Sequence, residues 1–351
     1  MPDPLSDRER DVLRRVVQTF IDTAAPVGSR VVADTIDLSS ASVRTTMQRL
    51  EGAGYLGHPH TSAGRVPTEQ GYRLYVDGLM DVGGLSAVEA GLLRDSVRRR
   101  LGDLDAVASD TSRLLGSLAR LLGVVLTPRL ATGVLERIEV VPLGAARVLF
   151  VLALRGGLAR TVAAEVDVEI RPGHVDAVVQ RLNERLAGHS LDEIRRTGAE
   201  RLQDLADGDR TGIVRLVLRD APTLFRDPSS GARRAAIAGT GHLVAQPEFQ
   251  HPAAVRAAVE LAENEAVVVH LLETALDAAE AGTAEAGAAR VLIGREATPT
   301  AEDAAAVSVV TAPYRLGGAV GAVAVIGPTR MDYARAVALV EYVAGLLGDD
   351  S

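Results

Sequence analysis

The chain of 351 residues contains no cysteine and no tryptophan, and all 38 residues of its Lys+Arg count are arginine. Without thiols there are no disulfides, thiolate metal sites, iron–sulfur clusters or cysteine nucleophile. Without lysine there is no lysine-bearing phosphate loop and no Schiff base. Aromatic residues make up only 3% of the chain, so the interior has to be filled by Ala, Val, Leu and Ile, which suit helix and sheet alike. The longest uncharged apolar run, residues 316–327, falls short of the ~20 residues that cross a bilayer, and the N-terminus MPDPLSDRER is charged where a secretory signal is apolar. A cytoplasmic protein with no membrane partner is expected.

Catalytic signatures are equally sparse. There is no G-x-S-x-G and no H-E-x-x-H; Gly239-Thr240-Gly241 lacks the third glycine of a dinucleotide fingerprint, and Gly317-Gly318 with Gly321 precedes a strand. His58-x-His60 is the one close histidine pair, and two imidazoles on a loop hold a metal poorly. Glu265 with Glu273, or Glu296 with Glu302, are near in sequence only, and solvated loop charge explains them more simply. No catalytic residue, metal or cofactor is expected, and the chain is not read as an enzyme.

What is present is 47% hydrophobic sequence, enough for two or three domains, under a formal charge of −8. Residues 5–23 open with a capping box, Ser6 and Glu9, and then place Val12, Leu13, Val16, Val17, Phe20 and Ile21 on one helical stripe. Pro26 and Gly28 break that helix. Ser29 is placed to cap a short second helix through Val31, Val32 and Ile36, and 37–39 turn into a third over about 40–52. Three short helices in about 50 residues predict a helix-turn-helix unit. In the third, Val43, Met47 and Leu50 face inward; Ala41, Thr45 and Gln48, flanked by Ser42, Arg44 and Arg49, face outward. Hydroxyls, an amide and guanidinium groups suit base edges and phosphates, and the Ser39/Ser40 end offers free amides to a phosphate. The same residues would also suit a solvated helix face, and this helix alone does not separate the two.

The stretch that follows, HPHTSAGRVPT, lies between the short strands at Tyr55-Leu56 and Val66. Pro59, Gly64 and Pro67 stiffen it, and its tips are polar: His60, Thr61, Ser62 and Arg65. A stiff hairpin directly after such a helix reads as the wing of a winged helix, with its tips on phosphate or minor groove. Between residues 28 and 75 five arginines face four acids, a weak electrostatic footprint, so binding is expected to need two subunits on a two-fold site. A fourth helix starts at Thr68 with Tyr72, Tyr75, Val76 and Leu79 buried.

Residues 85–127 read as a helix or helix pair. The period then changes: 138–141, 148–154 and 158–168 predict an antiparallel meander. A helix with Val175, Val178, Val179, Leu182 and Leu186 follows Pro172, then a mostly helical stretch and a helix at Val255, Val259 and Leu261. Residues 275–289, rich in Ala, Gly and Glu, read as a loose surface segment. Strands return at 291–293, 307–311 and 319–326, before a final helix with Ala336, Val337, Leu339, Val340 and Val343. Two strand groups around a helical stretch predict one sheet interrupted by an insertion.

With the hairpin in place, the chain resembles a known family. Val27-Gly28-Ser29, Leu38-Ser39-Ser40-Ala41-Ser42-Val43-Arg44, Gly54-Tyr55-Leu56, Pro59 to Thr68 with Gly71-Tyr72-Arg73, then Gln246-Pro247-Glu248-Phe249, Ile293-Gly294, Val310-Thr311-Ala312-Pro313-Tyr314 and Gly327-Pro328-Thr329-Arg330-Met331-Asp332-Tyr333 are similar to the heat-inducible transcription repressors, HrcA. The resemblance implies an α+β multidomain fold: a winged helix-turn-helix at 1–78, a helical linker at 79–131, a GAF-like α/β domain at 132–170 and 250–347, and an inserted dimerisation domain at 171–249. It further implies a homodimer on double-stranded DNA, at an inverted-repeat (CIRCE-type) operator upstream of groE- and dnaK-type chaperone operons. Repression would be lost on heat shock and restored by the GroE chaperonin. Expected DNA contacts are Ser42, Arg44, Thr45, Gln48 and Arg49 with Ser39, Ser40, His60, Thr61, Ser62 and Arg65. Thr45 stands where the family often has Asn, and Ala297 where Asn usually follows Glu296. The alternative is a winged-helix regulator controlled by a small molecule in the GAF-like domain.

Overall fold

The computed structural model describes residues 5–59, 64–98, 104–144, 146–167, 172–226, 234–280, 287–298 and 307–348. The N-terminal unit begins with α1 (Asp7–Thr23), started by the expected capping box: the Ser6 hydroxyl accepts from the Glu9 amide, and the Glu9 carboxylate accepts from the Ser6 amide. Its stripe Val12, Leu13, Val16 and Val17 is fully buried. In α2 (Ser29–Ala33) the cap position falls on Gly28, so Ser29 is the first helical residue rather than the cap. α3 (Ser40–Gly52) is capped by Ser39, whose hydroxyl accepts from the Ser42 amide at 3.2 Å. β1 (Leu56–Gly57) and β2 (Val66–Pro67) pair antiparallel, and α4 (Glu69–Gly78) follows behind the cap residue Thr68.

Two helices, α5 (Ala87–Arg98) and α6 (Leu104–Ala119), lead into β3 (Leu122–Leu126), which is buried along its whole length. The helical reading of 85–127 is thus corrected at its end. An apolar run this short satisfies either period, and Gly123 settles it sterically: a Cβ there would stand 2.3 Å from the Ser112 carbonyl oxygen, so α6 and the strand approach closer than a side chain allows.

The meander β4 (Leu135–Pro142), β5 (Arg147–Leu154) and β6 (Ala159–Glu165) forms as expected and is backed by α7 (Pro172–Leu186), α8 (Leu191–Leu202) and α9 (Ile213–Leu224). It does not join the later strands. Those are β7 (Ala235–Ala238), reached before α10 (Thr240–Val244), α11 (Pro252–Glu263) and α12 (Glu265–Glu280), then β8 (Arg290–Leu292), β9 (Val307–Leu316) and β10 (Ala319–Pro328), with α13 (Tyr333–Leu347) closing the chain. The sheet orders are β7-β3-β10-β9-β8 and β4-β5-β6, every neighbouring pair antiparallel. The single interrupted sheet is therefore corrected to two sheets. The meander and α7–α9 sit between β3 and β7 around a separate core of Phe150, Leu152, Leu182, Ile194 and Val217.

The five-stranded sheet is covered on both faces, which is why its strands read as continuous apolar runs. Val323 and Val325 of β10 face α13 and the N-terminal unit, while Ala322, Ala324 and Ile326 face α11 and α12. The loose segment expected at 275–289 is corrected over its first part: 275–280 belong to α12, whose Leu276 is fully buried, while 281–286 lie outside the described residues. The expected core of the N-terminal unit is continuous with one face of this sheet, joining Val16, Leu50 and Tyr72 to Met331, Tyr333 and Val340. Among the described residues no helix is long and apolar enough to cross a membrane.

Candidate nucleic-acid interface

α3 is held by three buried apolar side chains, Val43, Met47 and Leu50, at most 3% exposed, with Thr46 buried beside them. Helical spacing then puts Ala41, Arg44, Thr45, Gln48 and Arg49 on the opposite side, and all five are exposed. Arg44 and Gln48 make no side-chain hydrogen bond or ion pair among the described residues. Arg49 is 74% exposed and lies 3.5 Å from Glu9 of α1, a loose surface pair of little energetic weight. Thr45 spends its hydroxyl locally, donating to the Ala41 carbonyl at 3.1 Å, which leaves its methyl group and the oxygen lone pairs outward. Ser39 is exposed at the helix start; Ser42 is half-buried, and so is Ser40, whose hydroxyl lies 3.1 Å from that of Ser29. The expected face thus exists as one surface, with Ser40 and Ser42 at its margin.

The hairpin is braced from two sides. Val27 and Arg65 exchange backbone hydrogen bonds of 2.8 and 2.9 Å, adding a third short rung beside β1 and β2. Gly64 permits that approach, since a Cβ there would meet the Val27 backbone at 2.4 Å. Arg65, expected on phosphate or minor groove, has a side chain that is 17% exposed, and its guanidinium binds Glu51, in the last turn of α3, at 2.7 Å. His58 Nδ1 lies 3.5 Å from the same carboxylate. The reason is geometric: β2 runs back past the end of α3, so Arg65 meets Glu51 before it meets solvent, and it acts as a strut between helix and hairpin. His60, Thr61 and Ser62, the expected tips, lie outside the described residues.

Sequence reading missed the ties that Glu51 and Ser29 make, which join the hairpin and α2 to α3. A Glu placed fourteen residues before an Arg carries no local signal, since only the hairpin's return brings the two together. Of the carboxylates weighed as acid/base pairs, Glu265 accepts from the Ala235 amide, Glu273 pairs with His270 and Glu296 binds Arg73, and Glu302 lies outside the described residues. Gly317 and Gly318 both have positive φ and form the β9–β10 turn.

Comparison with known proteins places the chain in a family. The family model "HrcA protein C terminal domain" matches residues 105–337. The heat-inducible transcription repressor HrcA of Chlorobium phaeobacteroides (strain BS1) is 39% identical over 98% of this chain and 97% of its own length. The protein of the same name from Prosthecochloris aestuarii is 38% identical over 98% of this chain and 96% of its own length. A crystal structure of a hypothetical protein shares the fold, with a TM-score of 0.61 over 99% of this chain and 98% of the other, at 22% identity. Members of this family are transcription repressors, not enzymes. By identity and coverage together, the chain belongs to the heat-inducible transcription repressor family HrcA.

Proposed function

We propose that this chain is a heat-shock repressor that binds, as a homodimer, an inverted-repeat operator of the CIRCE type upstream of chaperone operons. In this reading α1 to α4 with the β1–β2 hairpin are a winged helix, and α3 enters the major groove. Arg44, Thr45 and Gln48 meet base edges there, with Ser42 and Arg49 beside them. Ser39 and Ser40 bring the amide-rich helix start to a phosphate, and His60, Thr61 and Ser62 at the hairpin tip meet the neighbouring backbone or minor groove. Arg65 keeps the hairpin at its angle. One observation carries the reading: α3 presents Arg44 and Gln48, without partners among the described residues, on a helix whose other side is locked in the core.

Two-fold pairing has support of its own. The face of β4-β5-β6 turned away from α7–α9 aligns Val141, Leu149 and Ala163 in one cross-strand row, and Val141 and Leu143 are 43% and 52% exposed. An apolar row on an open sheet face suits a second copy of the chain better than water. The five-stranded unit is read as the GAF-like domain, so that residues 132–170, first assigned to that domain, go with the inserted dimerisation domain instead. Repression is lost on heating and restored with the GroE chaperonin.

A gel shift tests the proposal: the chain with the inverted repeat or a scrambled duplex, before heating, after heating, and after heating with chaperonin present. The expected result is a repeat-specific complex of two chains that heat abolishes and chaperonin restores. Equal binding to scrambled DNA would overturn the reading.

A further inference from the structure

Three segments far apart in the sequence meet at one arginine. Arg330 stands between β10 and α13, and its side chain is 11% exposed. Its Nε donates to Glu248 Oε1 at 2.6 Å, one terminal nitrogen donates to Glu248 Oε2 and to Gln246 Oε1, each at 3.3 Å, and the other donates to the Ile21 carbonyl at 2.6 Å. That carbonyl belongs to the last turn of α1, where the helix has no amide left to satisfy it and where the helix dipole favours a cation. A forked guanidinium is suited to this junction, because one planar group serves a carboxylate, an amide and a helix end together.

The same joint is closed at two further points. The Tyr72 ring of α4 packs on Tyr333 of α13 with centroids 5.7 Å apart, both rings buried. The Tyr333 hydroxyl donates to the Thr329 carbonyl at 2.6 Å and lies 3.0 Å from Ser308 Oγ. On either side of Tyr72 in α4, Arg73 binds Glu296 and donates to the Val291 carbonyl at 2.8 Å, and Glu69 accepts from the Arg295 amide at 3.1 Å. Gly294 allows that last contact, since a Cβ there would fall 2.1 Å from Glu69 Oε1.

We propose that Arg330, through its fork onto Glu248 and Ile21, is a positioning residue for operator recognition: it fixes the angle of the N-terminal unit on the five-stranded unit, and so the separation of the two α3 helices in a dimer. The inference rests on the DNA-binding reading above. The lever is long. α1 has 17 residues and spans roughly 25 Å, so a tilt of about 10° at its clasped end moves the other end by about 4 Å. That exceeds the roughly 3.4 Å between successive base pairs, so a loosened joint would no longer select one half-site spacing. The sheet unit would thereby transmit its own state of folding to the DNA-reading surface without touching DNA.

The test uses the full chain and duplexes carrying the inverted repeat with the spacer varied one base pair at a time. The native chain is expected to prefer one spacing. In Arg330→Met the preference flattens and affinity for the best spacing falls by about ten- to a hundredfold, the loss of effective concentration when two linked sites lose their geometry, while affinity for a single half-site stays as it was. Arg330→Lys, a point charge without the fork, falls between. A merely structural role would lower binding to every duplex alike and leave the spacing preference intact, and that result overturns the proposal. Since the chain has no cysteine, spin labels at Arg15→Cys and Arg256→Cys, diluted with unlabelled chain, report the joint directly: one narrow distance natively, a broad one in Arg330→Met. An unchanged distribution also overturns the proposal. If Arg330→Met fails to fold, Glu248→Gln carries the same two measurements. If the native chain binds no repeat specifically, the DNA-binding reading fails, and the spin-label distances alone decide whether Arg330 sets the joint.

Discussion

α3 and α4 are neighbouring amphipathic helices of one unit, each seated on the shared core, yet their polar faces are used in opposite ways. On α4 the polar residues are spent internally: Glu69 and Arg73 bind the turn at 294–296 and the edge strand β8. On α3, Arg44 and Gln48 have no partner among the described residues, and Arg49 makes one loose surface contact. The difference teaches that a polar helix face is informative for function only once its internal partners have been counted. A face whose groups are consumed holds the molecule together; a face whose groups are free contributes little stability and is open to an outside ligand.

The largest effect removes the footing that both helices share. Leu50 is fully buried beneath α3. Leu50→Ala should destabilise the N-terminal unit by about 2–5 kcal/mol, read from urea unfolding, with loss of DNA binding of every kind. A loss below about 1 kcal/mol would show that α3 is not seated as described.

A second experiment sets the two polar faces against each other. Arg73→Met removes the guanidinium from Glu296, which keeps the Ile293 amide, and takes the Val291 carbonyl's side-chain donor, and should cost about 1 kcal/mol, whereas Gln48→Ala should stay within about 0.5 kcal/mol of the native chain. Equal losses for the pair would dissolve the distinction between the faces.

The smallest effect concerns a joint outside both helices, and it sharpens the comparison by its pH dependence. Bonds from the Ser86 hydroxyl, Arg335 and the Ser86 amide hold the Glu89 carboxyl at about 2, below its ordinary 4.5. A lowered carboxylate stabilises the folded state above its ordinary value, and that share is lost as the pH falls through the lowered one. Melting curves of the native chain and Glu89→Gln should therefore differ at pH 6 and converge as the pH falls from about 4.5 towards about 2. A constant gap would mean that the Ser86 and Arg335 bonds do not form.

Local signals were legible in the sequence wherever the structure is governed by local physics. The Ser6/Glu9 capping box, the inward trio of α3 and the meander at β4–β6 follow from periodicity and end chemistry, and all are present. What depends on distant partners was not legible. The apolar run at 122–126 has no period to mark it as the strand between β7 and β10, and hydrogen-bond partnering between strands leaves no trace in alternation, so two sheets read as one. For the candidate site the exposure of Ala41, Arg44, Thr45, Gln48 and Arg49 was legible, since it needs only the core residues to be identified, whereas the half-burial of Ser40 and Ser42 was not. The fate of Arg65 was not, because Glu51 reaches it only after the hairpin has turned back. Arg330 stood out in a motif, but its role depends on Ile21, more than three hundred residues away.

The central claim is that the free face of α3 reads DNA bases, and the most direct measurement is a base-by-base binding profile. Every base pair of the inverted repeat is replaced in turn, and binding is compared between the native chain and Gln48→Ala, whose fold the change should not disturb. The account predicts that discrimination falls by about 1–3 kcal/mol at one base pair of each half-site and is unchanged elsewhere. An identical profile for the two proteins, with Gln48→Ala fully folded, would contradict it.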